Sequence, residues 1–225
     1  MSAAPLERIT IEPSLAANAC VIWLHGLGDS GAGFAPIVPE LKLPQHHQVR
    51  FIFPHAPEQP VTINQGYVMR SWYDIKTMDL HSRADMTGVL ASEVKVKALI
   101  QEQIDSGIPA NRIVLAGFSQ GGVISLFTGL RYPEKLAGIM ALSCYLPTAD
   151  ALPEQLSSAN KNTEILQQHG ESDDVVPLSA GQMANKLLLA NHYPVTWQTY
   201  PMAHSVHPQQ IRAIAAWLTT RLNLN

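Results

Sequence analysis

Gly117, Ser119 and Gly121 stand at alternate positions in the run Leu-Ala-Gly-Phe-Ser-Gln-Gly-Gly, residues 115–122. Ahead of them lies an apolar, partly β-branched run from Ile113; behind them Val123, Ile124, Phe127 and Leu130 recur at helical spacing. A strand that turns directly into a helix strains the corner residue and lifts its side chain above the sheet edge. Glycine two before and two after lets the neighbouring backbone pass close by. A serine presented this way is a nucleophile. The helix that starts under it aims free N–H groups at the negative charge that develops when the hydroxyl attacks a carbonyl. With 14 glycines and 15 serines in 225 residues, chance supplies the bare pattern roughly 0.06 times. A glycine turn with an incidental serine is therefore the weaker account.

A serine hydroxyl needs a histidine to take its proton and a carboxylate to orient the histidine. On a strand–elbow–helix scaffold these follow in the order serine, acid, histidine. The first segment that fits is His169-Gly170-Glu171-Ser172-Asp173-Asp174, a tight loop after an apolar strand. Glu171, Asp173 and Asp174 compete there, and spacing does not separate the two aspartates. The second segment is Tyr200-Pro201-Met202-Ala203-His204-Ser205-Val206-His207-Pro208. His207 followed by proline reads as a helix start, so His204, in the loop proper, is the better base. Of the other seven histidines, His25 and His169 end strands and are read as making loop hydrogen bonds. His46, His47 and His192 are read as surface residues, and His55 and His81 as loop residues.

The oxygen that becomes negative also needs donors. His25-Gly26-Leu27-Gly28-Asp29-Ser30-Gly31-Ala32-Gly33 follows the first strong strand, and its glycines permit an unusual backbone path. One donor N–H is expected there, close to Leu27, and the other is that of Gln120, next to the nucleophile. Gly26, Gly28 and Gly31 also match the dinucleotide pattern Gly-x-Gly-x-x-Gly. That reading wants an acid at the end of the next strand, where Phe51-Ile52-Phe53-Pro54 runs instead. His204-x-x-His207 has metal-like spacing, but the residues between and Pro208 supply no helix to carry both, and no Cys pair accompanies them. The expectation is no cofactor and no metal.

The elements that must position these loops are legible from composition and pattern. Only 15% of the chain is charged and the net charge is −3, against about 25% charged in ordinary soluble proteins. The low charge leaves little for solvated tails, and no basic excess exists to neutralise phosphates, so no nucleic-acid partner is expected. Strands are expected at 20–25, 49–54, 112–118, 138–144, 164–170 and 195–200. Several are apolar at nearly every position, as in parallel strands covered on both faces. Helices are expected at 34–43, 87–103, 120–131, 179–190 and 207–222, with Glu93 and Lys97 intruding on the apolar face of the second. Alternation of the two argues for an α/β fold: a mostly parallel central sheet, right-handed crossovers and helices on both faces, in a single domain over 1–225. Residues 55–86 contain no convincing long element and are read as an excursion packed over one end of the sheet, a wall or partial lid.

The uncharged stretch 113–130 is long enough to raise a membrane-helix question, but Ser119-Gln120-Gly121-Gly122 interrupts it. No transmembrane segment is expected. Cys20 and Cys144 sit in apolar runs and read as buried free thiols of a reducing compartment. The first residues carry Pro5, Glu7 and Glu12 where a signal peptide would have a basic region and an apolar stretch. Cytoplasmic location is the expectation.

Together these segments resemble the phospholipase/carboxylesterase family of small α/β-hydrolases, which includes acyl-protein thioesterases and bacterial carboxylesterases. The matching blocks are Trp-Leu-His-Gly-Leu-Gly-Asp at 23–29, Pro-His-Ala-Pro at 54–57, Val-Thr-Ile-Asn at 61–64 and Ser-Trp-Tyr-Asp-Ile at 71–75. They continue with the elbow at 115–122, Ala-Leu-Ser-Cys-Tyr-Leu-Pro at 141–147, His-Gly-Glu-Ser-Asp-Asp-Val-Val-Pro at 169–177 and Ala203-His204. The resemblance implies an α/β-hydrolase fold without a large cap domain. It implies Ser119 as nucleophile, His204 as base and Asp173, four residues after His169, as the orienting acid, with Leu27 and Gln120 as oxyanion donors. Family members commonly have Trp where this chain has Tyr145, which bears on the shape of the acyl pocket. Met69, Trp72, Tyr145, Val176 and Leu178 are the expected pocket residues. The implied activity is hydrolysis of carboxylic esters or thioesters of short to medium acyl chains. The substrate would be a small-molecule ester or thioester, with acylated protein a further candidate; monomer and homodimer are both compatible with the sequence.

Overall fold

The computed structural model describes residues 6–77, 83–147 and 156–224. Seven strands form one sheet in the order β1-β3-β2-β6-β7-β8-β9. They are β1 (Arg8–Ile11), β2 (Ala19–Leu24), β3 (Val49–Pro54), β6 (Ile113–Phe118), β7 (Gly138–Leu142), β8 (Ile165–Gly170) and β9 (Val195–Tyr200). All pairings are parallel except β1 with β3 at the edge. The apolar runs are explained by two separate cores. Cys20, Ile22 and Leu24 of β2 point to one face, where they meet α3 (Met86–Asp105), α4 (Gln120–Arg131) and α5 (Leu178–Ala190). Ala19, Val21 and Trp23 point to the other, where Ile214 and Leu218 of α6 (Pro208–Arg221) pack. With both faces covered, every position of the strand needs an apolar side chain.

All six expected strands and four of the five expected helices have their counterparts within two residues at each end; the largest strand difference is at 138–144, which ends at Leu142. The helix expected at 34–43 is instead two single turns, α1 (Gly31–Phe34) and α2 (Ile37–Glu40). Pro36 lies between them and Pro39 within the second. Neither has an N–H to extend the ladder, so a continuous helix cannot form there. The edge strand β1 was not expected, because four residues, three half-buried and Thr10 exposed, two of them polar, carry little pattern. Glu93, which interrupts the apolar face of α3, is buried because its carboxylate pairs with Lys97 Nζ at 2.8 Å and Arg131 Nε at 3.0 Å. The charge ties α3 to α4.

The excursion holds a hairpin that sequence reading did not resolve: β4 (Glu58–Val61) and β5 (Tyr67–Arg70), paired antiparallel. Its turn passes through Gln65 and Gly66, both at positive φ, +57° and +77°. Trp72, Tyr73 and Ile75 then bury themselves in the core above α3. A bridge between Ile75 and Ala84 closes the base of the excursion. His81 lies outside the described residues. No helix among the described residues is long and apolar enough to cross a membrane. Because six strands run parallel, the loops after β2, β6, β8 and β9 all emerge at one edge of the sheet, and the candidate site residues sit on them.

Candidate active site

The elbow has the conformation its sequence demands. Ser119 has φ +53° and ψ −122°, directly between β6 and α4. A Cβ at Gly117 would come within 2.2 Å of Gly121 O, and one at Gly121 within 2.3 Å of Leu24 O. Neither backbone contact could yield, so only glycine lets the corner close. The strain, of order 1–3 kcal/mol for such a backbone, is held by packing on both sides and by the Ser119 N–H, which donates to Leu142 O at 2.8 Å.

Ser119 Oγ lies 2.8 Å from His204 Nε2, and His204 Nδ1 lies 2.7 Å from Asp173 Oδ2. The Asp173 side chain is fully buried. Its Oδ1 accepts from the N–H groups of Val175 at 3.0 Å and Val176 at 2.8 Å. Burial pushes the Asp173 carboxyl up, but hydrogen bonds from His204, Val176 and Val175 outweigh it and hold the group below the usual range. It therefore stays an acceptor, and Nδ1 of His204 carries the proton it donates. Nε2 is then free to accept from the serine hydroxyl.

The competing acids and the competing histidine go elsewhere. Glu171 is exposed and accepts from Thr199 Oγ1; Asp174 is exposed. His207 is the N-cap of α6: its Nδ1 accepts from Gln209 N at 3.1 Å, and Gln210 Oε1 accepts from His207 N at 3.2 Å. His55 is also structural here, accepting the Gly31 N–H at 3.1 Å.

The two expected donor positions adjoin residues beside Ser119: Gln120 follows it, and Gly26, before Leu27, is close enough that a Cβ there would lie 3.4 Å from Ser119 Cβ. Gln120 opens α4, so its N–H belongs to the free first turn. Leu27 sits half-buried in a loop whose neighbours are fixed: Gly28 N–H donates to Arg70 O at 2.9 Å and Asp29 N–H to Gly26 O at 3.3 Å. His25 contributes something the sequence did not reveal. Its Nδ1 is 2.6 Å from Gly26 O, while its Nε2 accepts the Ala56 N–H at 3.0 Å, so Nδ1 carries the hydrogen. The Gly26 carbonyl and the Leu27 N–H are two ends of one peptide. His25 therefore fixes the direction of the donor. The Gln120 side chain was also missed. Its Oε1 accepts the Trp72 N–H at 2.7 Å and its Nε2 donates to Tyr73 O at 2.6 Å, pinning the excursion to the start of α4. The only sequence signals were the polar amide beside Ser119 and the His-Gly pair ending β2.

Of the expected pocket residues, Trp72, Tyr145 and Val176 are buried in the core, at 1%, 5% and 2% exposure. Trp72 Nε1 donates to His25 O at 2.9 Å, and Tyr145 shares a 3.0 Å hydroxyl contact with Tyr73. Met69 and Leu178 are half-buried, and Met69 Sδ lies 3.6 Å from where a Gly28 Cβ would be, beside the Leu27 loop.

Burial pushes both His25 and His169 below the ordinary histidine range. The unfolded chain takes up protons on them as pH falls through about 6.5, while the folded chain resists. Stability contributed by the neutral rings is thus full above that pH and declines below it. The midpoint of urea unfolding is expected to be lower at pH 5 than at pH 7.5. An equal or higher midpoint at pH 5 would contradict this.

A family model described as Phospholipase/Carboxylesterase matches residues 7–222. The chain is 45% identical to acyl-protein thioesterase 1 of Neurospora crassa over 214 residues, covering 91% of this chain and 87% of that protein. It is 40% identical to acyl-protein thioesterase 1 of Yarrowia lipolytica over 222 residues, covering 95% and 96%. Its structure is similar to the crystal structure of Arabidopsis thaliana SOBER1, with TM-score 0.87 and 34% identity over 92% of this chain and 100% of that one. It is also similar to acyl-protein thioesterase 2 of Zea mays, with TM-score 0.85 and 28% identity over 96% and 99%. Match and structure agree that the chain has the α/β-hydrolase fold, belongs to the phospholipase/carboxylesterase family and is a hydrolase.

Proposed function

We propose that the chain, acting as one domain over 1–225, cleaves esters and thioesters of short to medium acyl chains through Ser119, His204 and Asp173. The reading is supported above all by the unbroken hydrogen-bonded path from Ser119 Oγ through His204 to Asp173. His204 Nε2 takes the hydroxyl proton as Ser119 Oγ attacks the acyl carbonyl. The imidazolium so formed is stabilised by Asp173. The carbonyl oxygen, now negative, accepts from the N–H groups of Leu27 and Gln120, whose directions are set in advance. His204 then protonates the leaving alcohol or thiol. Water, deprotonated by His204, then attacks the acyl carbon; the bond to Ser119 Oγ breaks and His204 returns the proton to Oγ as the acid leaves. Every proton moves between groups named here, so the cycle draws on no cofactor and no metal. Met69, packed against the core that holds the buried Trp72, Tyr145 and Val176, and the half-buried Leu178 are the apolar side chains assigned to the acyl chain.

The relatives named as acyl-protein thioesterases favour acylated protein among the substrates. The buried free thiols fit a cytoplasmic location. The reading is tested by labelling with a fluorophosphonate and by rates over p-nitrophenyl esters and matched thioesters of increasing acyl length. Expected are one label per chain, on the peptide containing Ser119, and rates that fall for long acyl chains. A label elsewhere, or no turnover across both panels, would overturn it.

A further inference from the structure

Asp173 divides its two oxygens: Oδ2 faces His204, and Oδ1 is held by a two-residue strap, the N–H groups of Val175 and Val176. What holds the strap is not apolar burial alone, because the Val175 side chain is 43% exposed. Each strap carbonyl instead meets a buried donor. Arg83 Nη1 donates to Val175 O at 3.0 Å, and His169 Nε2 lies 2.8 Å from Val176 O. Facing a carbonyl, that Nε2 carries the ring's hydrogen. The ring is fully buried, and α5 closes behind it so tightly that a Cβ at Gly181 would come within 2.4 Å of Nδ1.

The Arg83 contact has a particular consequence. The Val175 carbonyl and the Val176 N–H are the two ends of a single peptide. A guanidinium on the oxygen is a charge-assisted donor, roughly twice as strong as a neutral one. It polarises the peptide, and so strengthens the N–H that grips Asp173. Arg83 is itself fixed. It is 6% exposed, its guanidinium lies 5.9 Å over the Tyr145 ring, and its carbonyl accepts the Lys76 N–H at 3.0 Å. We propose that Arg83 is a positioning residue for the reaction, acting through the Val175–Val176 peptide to aim Asp173 at His204 and coupling the 55–86 excursion to the acid. The inference rests on the reading of Asp173 as the orienting acid. Among the described residues, the ionisable groups around the Asp173–His204 pair are Ser119 on the elbow, His169 on β8, Arg83 on the strap, with the Tyr145 ring and its partner Tyr73 beyond the guanidinium, and exposed Glu171 and Asp174 on the acid's own loop.

Three variants separate the possibilities. Arg83→Met keeps an unbranched stem without charge or donor, Arg83→Gln keeps N–H donors without charge, and Arg83→Lys keeps charge. In Arg83→Met, kcat is expected to fall about tenfold, the worth of one such hydrogen bond, with KM within about twofold. The acidic limb of the kcat/KM profile, which reports the Asp173–His204 pair as a unit, should move up by a few tenths of a pH unit. Removing a nearby cation and releasing charge on Asp173 both favour the protonated pair. Arg83→Gln should show the same limb shift with a smaller loss of rate, and Arg83→Lys should restore the limb. If Arg83→Met does not fold, the Gln and Lys profiles decide. An unmoved limb in the uncharged variants, or a change confined to KM, overturns the proposal. Fluorophosphonate labelling of the wild-type chain is run alongside: if Ser119 is unlabelled there, it is the underlying catalytic reading that fails, and not the Arg83 coupling.

Discussion

Ser119→Ala should lower kcat on a p-nitrophenyl ester by about six orders of magnitude, the scale seen when a serine nucleophile is removed from a complete triad. The expectation follows from what would remain. His204 would still be aimed by Asp173, and the N–H groups of Leu27 and Gln120 would still face the carbonyl oxygen. No atom would be left at the 2.8 Å position from His204 Nε2 where the bond to carbon forms. Residual turnover would come only from water activated by His204 beside a polarised carbonyl. Stability should change little. Alanine at a φ of +53° carries the same backbone strain as serine, and the change removes a single oxygen atom from a residue that is 9% exposed. KM, set by contacts at the acyl rim, should stay within a few-fold. Initial rates with an active-site titration measure the loss, and a thermal midpoint shows that the fold is intact. Turnover within tenfold of the wild-type rate would remove Ser119 from the mechanism.

How much of this was legible in the sequence depends on the range of the interaction involved. The elbow is local: its need for glycine at 117 and 121 comes from backbone passing within a few residues or one strand away, and the residues state it. The parallel strands are legible because burial on two faces removes polar residues from consecutive positions of β2, β6 and β7. By contrast, the hairpin β4–β5 mixes polar and apolar residues on both faces, contains Pro60 and is largely exposed, so its pattern is weak. The break between α1 and α2 is written in Pro36 and Pro39, whose missing N–H groups outweigh the apolar spacing around them. Within the site, Ser119 and His204 follow from chain order and loop position. Asp173 and Asp174 do not separate locally, because only the tertiary approach of the loop after β9 turns one of them inward. The same holds for the His25, Gln120 and Arg83 contacts, which join segments far apart in the chain.

That separation of the two aspartates makes the second large prediction. Asp173→Asn should cost about 10⁴ in kcat, the scale of an inverted histidine tautomer, while Asp174→Asn should stay within two- to threefold of wild type. In the asparagine variant the side-chain oxygen is drawn to the Oδ1 position, because two N–H groups, of Val175 and Val176, converge there and only an acceptor satisfies them. The amide nitrogen must then occupy the Oδ2 position, 2.7 Å from His204 Nδ1. Two donors cannot face each other, so Nδ1 gives up its hydrogen and the ring becomes the Nε2–H tautomer. Nε2 then points a hydrogen at Ser119 Oγ and can no longer accept the proton that attack requires. The geometry is preserved and the chemistry is not, so the variant should fold, label slowly with a fluorophosphonate and turn over poorly. Asp174 is exposed, so its loss removes only a surface charge near the site. Rates for the pair, with labelling half-times on the same preparations, decide between them. A strong loss in Asp174→Asn with little in Asp173→Asn would move the acid by one residue. Equal, small losses in both would mean that neither carboxylate sets the tautomer of His204.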